Sequence, residues 1–413
     1  MSYRHLCFLL CVLAAKALHA EPWWLESDYL LWTIKQAPLP VPLVTAASLN
    51  DPVPGALNQP GTEILIGDQG VDIGWQSGFR VALGGWIDYG EILGIEASFF
   101  MLPRKSIHQS VGTSGEPGSL NLAVPIFDVT GLWGLNGVPG ETIFILPGPL
   151  GGPGFSGNFS LKMSSQLLNS ELNTITYALG NYPFRIDCIG GLRWIQLQES
   201  LSFTGQTAAL PGASVTGFYN FEDSFKTNNN FFGLQLGLQA KRMMHRYLLN
   251  AFAKAALGYM DQIIKIDGTS QTSNGNLFYK TQNTGNEVLP GGVFAEPTNI
   301  GSHHRGDFAV VLESGLNFTY LLSRSLEVGL SYNFLWANRL SRPGNQIDRK
   351  INPTKTVLAE ASRESVGIGP YQPVPVGSPV AAPLPAGPNN PKFRHRTSDF
   401  WAQGFAVSLK LKF

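Results

Sequence analysis

The sequence predicts an all-β protein: a transmembrane, antiparallel up-and-down β-barrel of about ten strands, with short periplasmic turns and long external loops. Three observations carry this expectation. A two-residue hydrophobic period recurs along the 413 residues. The gaps between periodic segments alternate short and long. The chain closes on an amphipathic strand that ends in an aromatic residue.

Residues 1–20 read as a signal peptide. Arg4 supplies a positive start, and residues 6–15 form an apolar run too short to span a bilayer as a helix. Ala20 is the expected last residue removed, although Leu18 stands where a smaller residue is usual. Leu10 before Cys11 argues against a lipoprotein signal. Beyond the leader Cys188 is the remaining cysteine, so no intramolecular disulfide can form.

Residues 21–413 are expected to form a single barrel domain. Strands are placed near 23–36, 76–87, 91–102, 158–179, 184–203, 229–241, 247–266, 307–322, 326–340 and 400–413. Phe79, Val81 and Leu83 oppose Arg80, Ala82 and Gly84; Ile95, Ala97 and Phe99 oppose Glu96 and Ser98. Leu234, Leu236 and Leu238 oppose Gln235, Gly237 and Gln239. Leu249 to Tyr259 sets Ala253 and Leu257 against Asn250 and Lys254. Phe308, Leu312 and Phe318 oppose Glu313 and Asn317, and Leu330, Tyr332 and Trp336 oppose Glu327 and Ser331. Successive side chains of a strand point to opposite faces, so each segment has one apolar and one mixed face. In residues 192–203 apolar side chains occupy both faces, and the facing of Arg193 and Glu199 stays open.

The last strand is the clearest. Phe405, Val407, Leu409, Leu411 and Phe413 share one face, while Gly404, Ala406, Ser408, Lys410 and Lys412 share the other. Such a strand is expected to serve as the signal read by the barrel-insertion machinery.

Long loops are expected at about 37–75, 103–157, 204–228, 267–306 and 341–399. All 28 prolines lie outside the ten segments, as a residue that cannot donate to a ladder should. Residues 119–124 and 141–146 are extended but shorter than the ~9–11 residues of a tilted spanning strand. They read as hairpins above the membrane, with twelve strands as the alternative count. Trp23, Trp24, Trp32, Trp86, Trp336 and Trp401, at strand ends, are expected in interfacial girdles.

Composition removes other classes. Lys+Arg and Asp+Glu are both 29, so no charge excess favours nucleic acid. Mean hydropathy is +0.02, with 46 Gly and 28 Pro, which suits strands joined by irregular loops. A soluble barrel also alternates. The membrane reading is favoured by the leader, the final strand, the loop rhythm, and a polar face rich in Gly, Ser, Gln and Asn.

The chain resembles the beta-barrel porin seven family of outer-membrane barrels. The resemblance rests on residues 28–40 (DYLLWTIKQAPLP), 59–62 (QPGT), 190–199 (GGLRWIQLQE), 231–238 (FFGLQLGL), 256–259 (ALGY), 291–295 (GGVFA), 298–301 (TNIG), 332–336 (YNFLW), 342–348 (RPGNQID) and 401–404 (WAQG). It implies a membrane location and brings no catalytic residues.

Arg80, Glu96, Lys254, Glu313 and Glu327 are the candidate lumen-facing charges. They form either a solute path or a paired network filling a narrow barrel, and the network is favoured because a ten-stranded interior is nearly filled by side chains. His303, His304 and Asp307 form a weak metal or rim-hydrolase lead, since adjacent histidines on a strand point apart. Arg305-Gly306-Asp307 is an adhesive-type triplet of low weight. Lys392 with Arg394, His395 and Arg396 could meet lipopolysaccharide phosphates, though a solvated loop end is the simpler reading. No phosphate loop, zinc-protease or nucleophile-elbow motif is present.

The expectation is therefore a bacterial outer-membrane protein, exported by its leader, in contact with outer-membrane lipid and lipopolysaccharide. It is read as no enzyme, with no cofactor, metal or nucleic-acid partner. Porin-like passage of small polar solutes is the first functional expectation. A plugged structural or surface-interaction barrel acting through its loops is the second, and a rim-site hydrolase the third.

Overall fold

The computed structural model describes residues 23–133, 137–149, 152–213, 217–272, 288–357 and 387–413. The signal peptide expected at 1–20 lies outside the described residues.

Ten strands close into a ring: β1 (Trp23–Ile34), β2 (Gln76–Trp86), β3 (Leu93–Thr113), β4 (Phe155–Leu179), β5 (Phe184–Ala209), β6 (Phe218–Met244), β7 (Tyr247–Thr272), β8 (Gly301–Leu321), β9 (Leu326–Ser341) and β10 (Thr397–Lys412). Each pairs antiparallel with its neighbours in sequence, and β10 closes on β1 in a register from Trp24 opposite Lys412 to Ile34 opposite Ala402. The short connections share one end of the barrel with Trp23 and Phe413, the first and last described residues. The tightest joins Met244 to Tyr247 through His245, whose φ of 56° is the left-handed conformation a two-residue hairpin demands.

Several strands outrun their expected bounds. β4 to β7 are 25 to 27 residues long, well over the ~9–11 needed to cross a bilayer. The loop expected at 204–228 shrinks to the short connection between Ala209 and Phe218. β3 likewise runs through Pro103, against the expectation that proline stays outside the strands. The ladder slips between Leu102 and Lys105 at that point, a bulge that spares the missing donor.

The outer wall carries an apolar belt. Phe232, Leu234, Leu236 and Leu238 are 56–74% exposed, and Leu257, Phe308, Leu330, Phe405 and Val407 stand out in the same way. Trp194, Phe232, Tyr259 and Phe308 are cross-strand neighbours on β5 to β8 and make one aromatic row. Near the short turns, Tyr247 meets Phe318 and Tyr320 at 5.3 and 5.2 Å between ring centroids.

The girdle expectation fails for three tryptophans. Trp24 and Trp32 are buried, and with Trp86 they turn inward. Trp32 packs on Phe100 at 5.2 Å and Trp24 on Trp86 at 5.9 Å. Proximity to a strand end does not set facing; parity does, and each indole finds cover inside. Trp336 and Trp401 share the parity of exposed Leu330 and Phe405 and lie opposite each other.

Inside, the barrel has two storeys. Toward the turns the inward positions are polar: Asp28, Glu171, Asn173, Asp187, Gln235, Asn317 and Ser408. Toward the loops they become Leu30, Trp32, Phe159, Leu161, Leu197, Phe203, Phe225 and Ile264. Loop segments fold in over that apolar wall. Pro42–Ala47 pairs with Glu63–Gly67 and Asn121–Ala123; Pro125–Asp128 pairs with Gly140–Ile143 and, in parallel, with Lys350–Ile351. The two stretches read as hairpin loops thus become strands inside the mouth, leaving the barrel count at ten. Leu43, Leu122, Ile126, Phe294, Ile347 and Ile351 join the wall residues in one buried cluster, which forms the plug.

Candidate functional site: a charged chamber beneath the plug

Below the plug lies a cavity of about 800 Å³, lined also by residues of the short turns, among them Gly90, Asn181 and Tyr182. Its walls bear Arg80, Glu96, Lys254, Glu313 and Glu327, so the five lumen candidates line one chamber.

Antiparallel register sets several of its ion pairs, because opposite residues of one face sit within side-chain reach. Asp28 on β1 lies opposite Arg80 on β2, and carboxylate and guanidinium meet at 2.8 Å. Glu26 lies opposite Lys410 at 3.4 Å. Lys412 pairs with Glu327. Asp187 accepts from Arg185 at 2.6 Å and from Lys241 at 3.2 Å, and Arg185 also reaches Glu91 at 3.4 Å.

The centre is a four-membered ring of charge. Arg193 touches Glu313 at 2.7 Å and Glu171 at 3.4 Å; Lys254 touches Glu171 at 2.7 Å and Glu313 at 2.9 Å. Asn169, Asn173 and Gln235 each donate to Glu171, at 3.2, 3.1 and 2.8 Å, and Arg193 Nε donates to Asn169 Oδ1 at 2.9 Å. The ring ties β4 and β5 to β7 and β8, passing over β6 inside the lumen. Carboxylates with two cations and three amides around them meet the requirement that buried charge be both paired and hydrogen-bonded.

Glu96 is different. It accepts from Trp24 Nε1 at 3.3 Å, and no cation of the described residues lies within 4 Å of it. The contact needs Gly84 between them. Gly84 is the register partner of both Trp24 and Glu96, and a Cβ there would collide with the indole ring.

Above the ring, polar tethers hold the plug to the wall. Arg342 Nη2 donates to Glu199 at 2.8 Å, both groups fully enclosed. Asn229 on β6 exchanges two hydrogen bonds with the backbone of Ser341, the last residue of β9 before the plug stretch at Arg342, at 2.9 and 2.8 Å. Asp223 accepts from the backbone N–H of Val293, Phe294 and Ala295 at 2.9–3.1 Å.

The remaining leads disperse. His303 stacks on Phe393 at 3.8 Å, while His304 faces Ser302 at 3.4 Å. Asp307 accepts from Gln262. No group of three metal-binding side chains occurs among the described residues. Arg394 reaches Asp348 at 3.4 Å and His395 reaches Gln262 at 2.6 Å, so part of the basic cluster is engaged with the plug and wall. Cys188 is exposed on the parity of outward Leu192.

Sequence reasoning left Arg193 and Glu199 unassigned and passed over Glu171 and Arg342. For Glu171 the signal was there: Asn169, Glu171 and Asn173 form a polar inward triplet by parity. For Arg342 there was none, because it lies in a loop.

A family model described as putative beta barrel porin-7 matches residues 24–367. The chain belongs to that family. The matched span takes in β1 from Trp24 onward, β2 to β9, the plug segments and all five chamber charges. Among solved structures, the chain is similar to the outer membrane protease OmpT from Escherichia coli, with 9% identity, 96% of this chain and 98% of that chain covered, and a TM-score of 0.42. It is also similar to the Pseudomonas putida toluene transporter TodX (8% identity, 97% and 92% covered, TM-score 0.21) and to a Pseudomonas aeruginosa FadL homologue (9%, 95% and 90%, 0.21). Comparison with curated proteins returned no match.

Proposed function

We propose that this family member is an integral outer-membrane barrel, exported by its leader, whose lumen is plugged at the outer end. It acts as a structural or surface-interaction barrel through its external face, with the chamber opening to the periplasm. The observation that carries this reading is the single apolar cluster joining inward loop residues such as Leu43, Ile126 and Phe294 to wall residues such as Phe203 and Phe225. A water-filled channel needs polar walls along its length, and here the outer half of the lumen is packed, its Leu, Ile and Phe side chains enclosing a few paired polar groups such as Arg342 with Glu199.

The apolar belt and aromatic row support the membrane setting and contact with lipid, and the outward face of Phe405, Val407, Leu409, Leu411 and Phe413 is the surface offered to the insertion machinery. Passage of small polar solutes is the second reading; the charged chamber favours it and the plug opposes it. The dispersal of His303, His304 and Asp307 gives the rim-hydrolase idea no support.

Planar-bilayer recording of heat-modifiable, folded protein tests the proposal. Absence of steady conductance steps is expected. Reproducible ohmic steps from the intact protein would overturn it in favour of the porin reading.

A further inference from the structure

Among the described residues, one carboxylate of the chamber has no cation within 4 Å. Glu26, Asp28, Glu171, Glu313 and Glu327 each have a cation within 4 Å, as does Glu91 at the turn end. Glu96 lines the same cavity with none among the described residues. Its contact is the neutral indole N–H of Trp24, which orients the carboxylate and supplies no formal charge. The indole itself is held in position. Trp24 is buried, packs against Trp86 at 5.9 Å, and lies over the space that Gly84 keeps clear.

The nearby cations are already committed. Lys410 stands 4.9 Å over the Trp24 ring and pairs with Glu26, and Lys254 belongs to the central ring. Moving either to Glu96 would strip another carboxylate of its partner. A carboxylate in a confined, partly dry cavity favours a counter-cation, and about 800 Å³ of adjoining space is room for a small molecule. Asn173, Asn250, Asn317, Ser331 and Ser408 line the same space and supply amide and hydroxyl groups for a hydrophilic guest.

We propose that the chamber is a binding site for a small, hydrophilic organic cation, with a primary ammonium seated on Glu96 beside Trp24. This deepens the plugged-barrel reading, since it rests on a chamber that is reached from the turn end. The ammonium supplies the missing positive charge and up to three donors. The indole N–H keeps one carboxylate lobe turned toward the guest. Specificity is for charge first: a neutral molecule of the same shape leaves Glu96 as it was.

The test uses the full-length folded protein in detergent at neutral pH, titrated calorimetrically with putrescine and, in parallel, with the diol of the same chain length. Saturable putrescine binding is expected, with the diol bound far more weakly. Glu96→Gln keeps the size of the side chain and an acceptor for Trp24, and should weaken putrescine on the order of tenfold or more. Glu222→Gln on the outer wall should bind like the unaltered protein, and heat-modifiable migration verifies that each variant is folded. No saturable binding, equal binding of the diol, or unchanged affinity in folded Glu96→Gln would each overturn the site. Sodium and magnesium are titrated alone: displacement of putrescine by either at comparable concentration would reassign Glu96 to an inorganic cation and overturn the organic one. Conductance is recorded on the same preparations. Steps with intact amine binding would remove the plugged-barrel reading and leave the site standing, whereas silence without amine binding would do the reverse.

Discussion

The two storeys of the lumen are made by the same strands with the same alternation, yet they fill space by opposite means. Below, the wall presents charges that neutralise one another across neighbouring strands, as Asp28 does with Arg80 and Lys254 with Glu313. Above, the wall presents mainly Leu, Ile and Phe, crossed by a few buried tethers such as Glu199 with Arg342, and the chain folds its own loops back to cover them. On β5 the change happens within one strand, between inward Arg193 and inward Leu197. An inward position is thus defined by parity, and its polarity is set by what it meets. Charge pairing leaves room for a cavity, because a few long side chains can span a lumen. Apolar packing leaves none, because contacts must be contiguous to hold.

This contrast can be broken at either storey. The largest effect is expected at the ring. Arg193→Ala leaves Glu171 and Glu313 with Lys254 alone, and unpairing buried charge costs about 3–5 kcal/mol. Urea unfolding followed by tryptophan fluorescence measures it; a loss below about 1 kcal/mol would mean that the lower storey is wet enough to need no pairing. Phe203→Ala, in the aromatic cluster with Phe159, Phe221 and Phe294, should cost about 3 kcal/mol. It should also bring intermittent conductance steps, while amine binding below is unchanged. Equal stability with silent bilayers would show the plug to be less tightly packed than the wall it covers.

The smallest effect lies outside both storeys. Asp88, at the turn between β2 and β3, accepts from the backbone N–H of Leu93 and Ile92, and these donors hold its carboxyl below the ordinary value of 3.8. A depressed folded value means the stabilisation is present above pH 3.8 and is lost as pH falls through the lower folded value. Hydrogen exchange at Ile92 and Leu93 should therefore lose protection under acid in the unaltered protein. In Asp88→Asn it should be weaker and pH-independent, with both storeys unaffected. The same acid response in the variant would place the titrating group elsewhere.

Much of the barrel could be read before folding was known. The ten strands, their order, the rhythm of turns and loops, and the inward parity of Arg80, Glu96, Lys254, Glu313 and Glu327 follow from a period of two. That period survives wherever one face meets an apolar medium and the other does not. It fails in residues 192–203, where lower outward Leu192 and upper inward Leu197 and Phe203 are all apolar, because the strand passes from one storey to the next.

What the sequence determined by itself is most of the wall: local alternation is written residue by residue, so wherever it is clean the facing needs no knowledge of distant chain. What only the tertiary structure decided is the content of the lumen. The ring of Arg193, Glu171, Lys254 and Glu313 joins two consecutive-strand registers, β4 with β5 and β7 with β8, by side-chain contacts that pass over β6 inside the lumen. The plug depends on loops, including the stretch around Arg342 and Phe294, that carry no period to announce where they fold. The isolation of Glu96 is decided at the same level, for a carboxylate is unpaired only once every cation that could reach it has gone elsewhere.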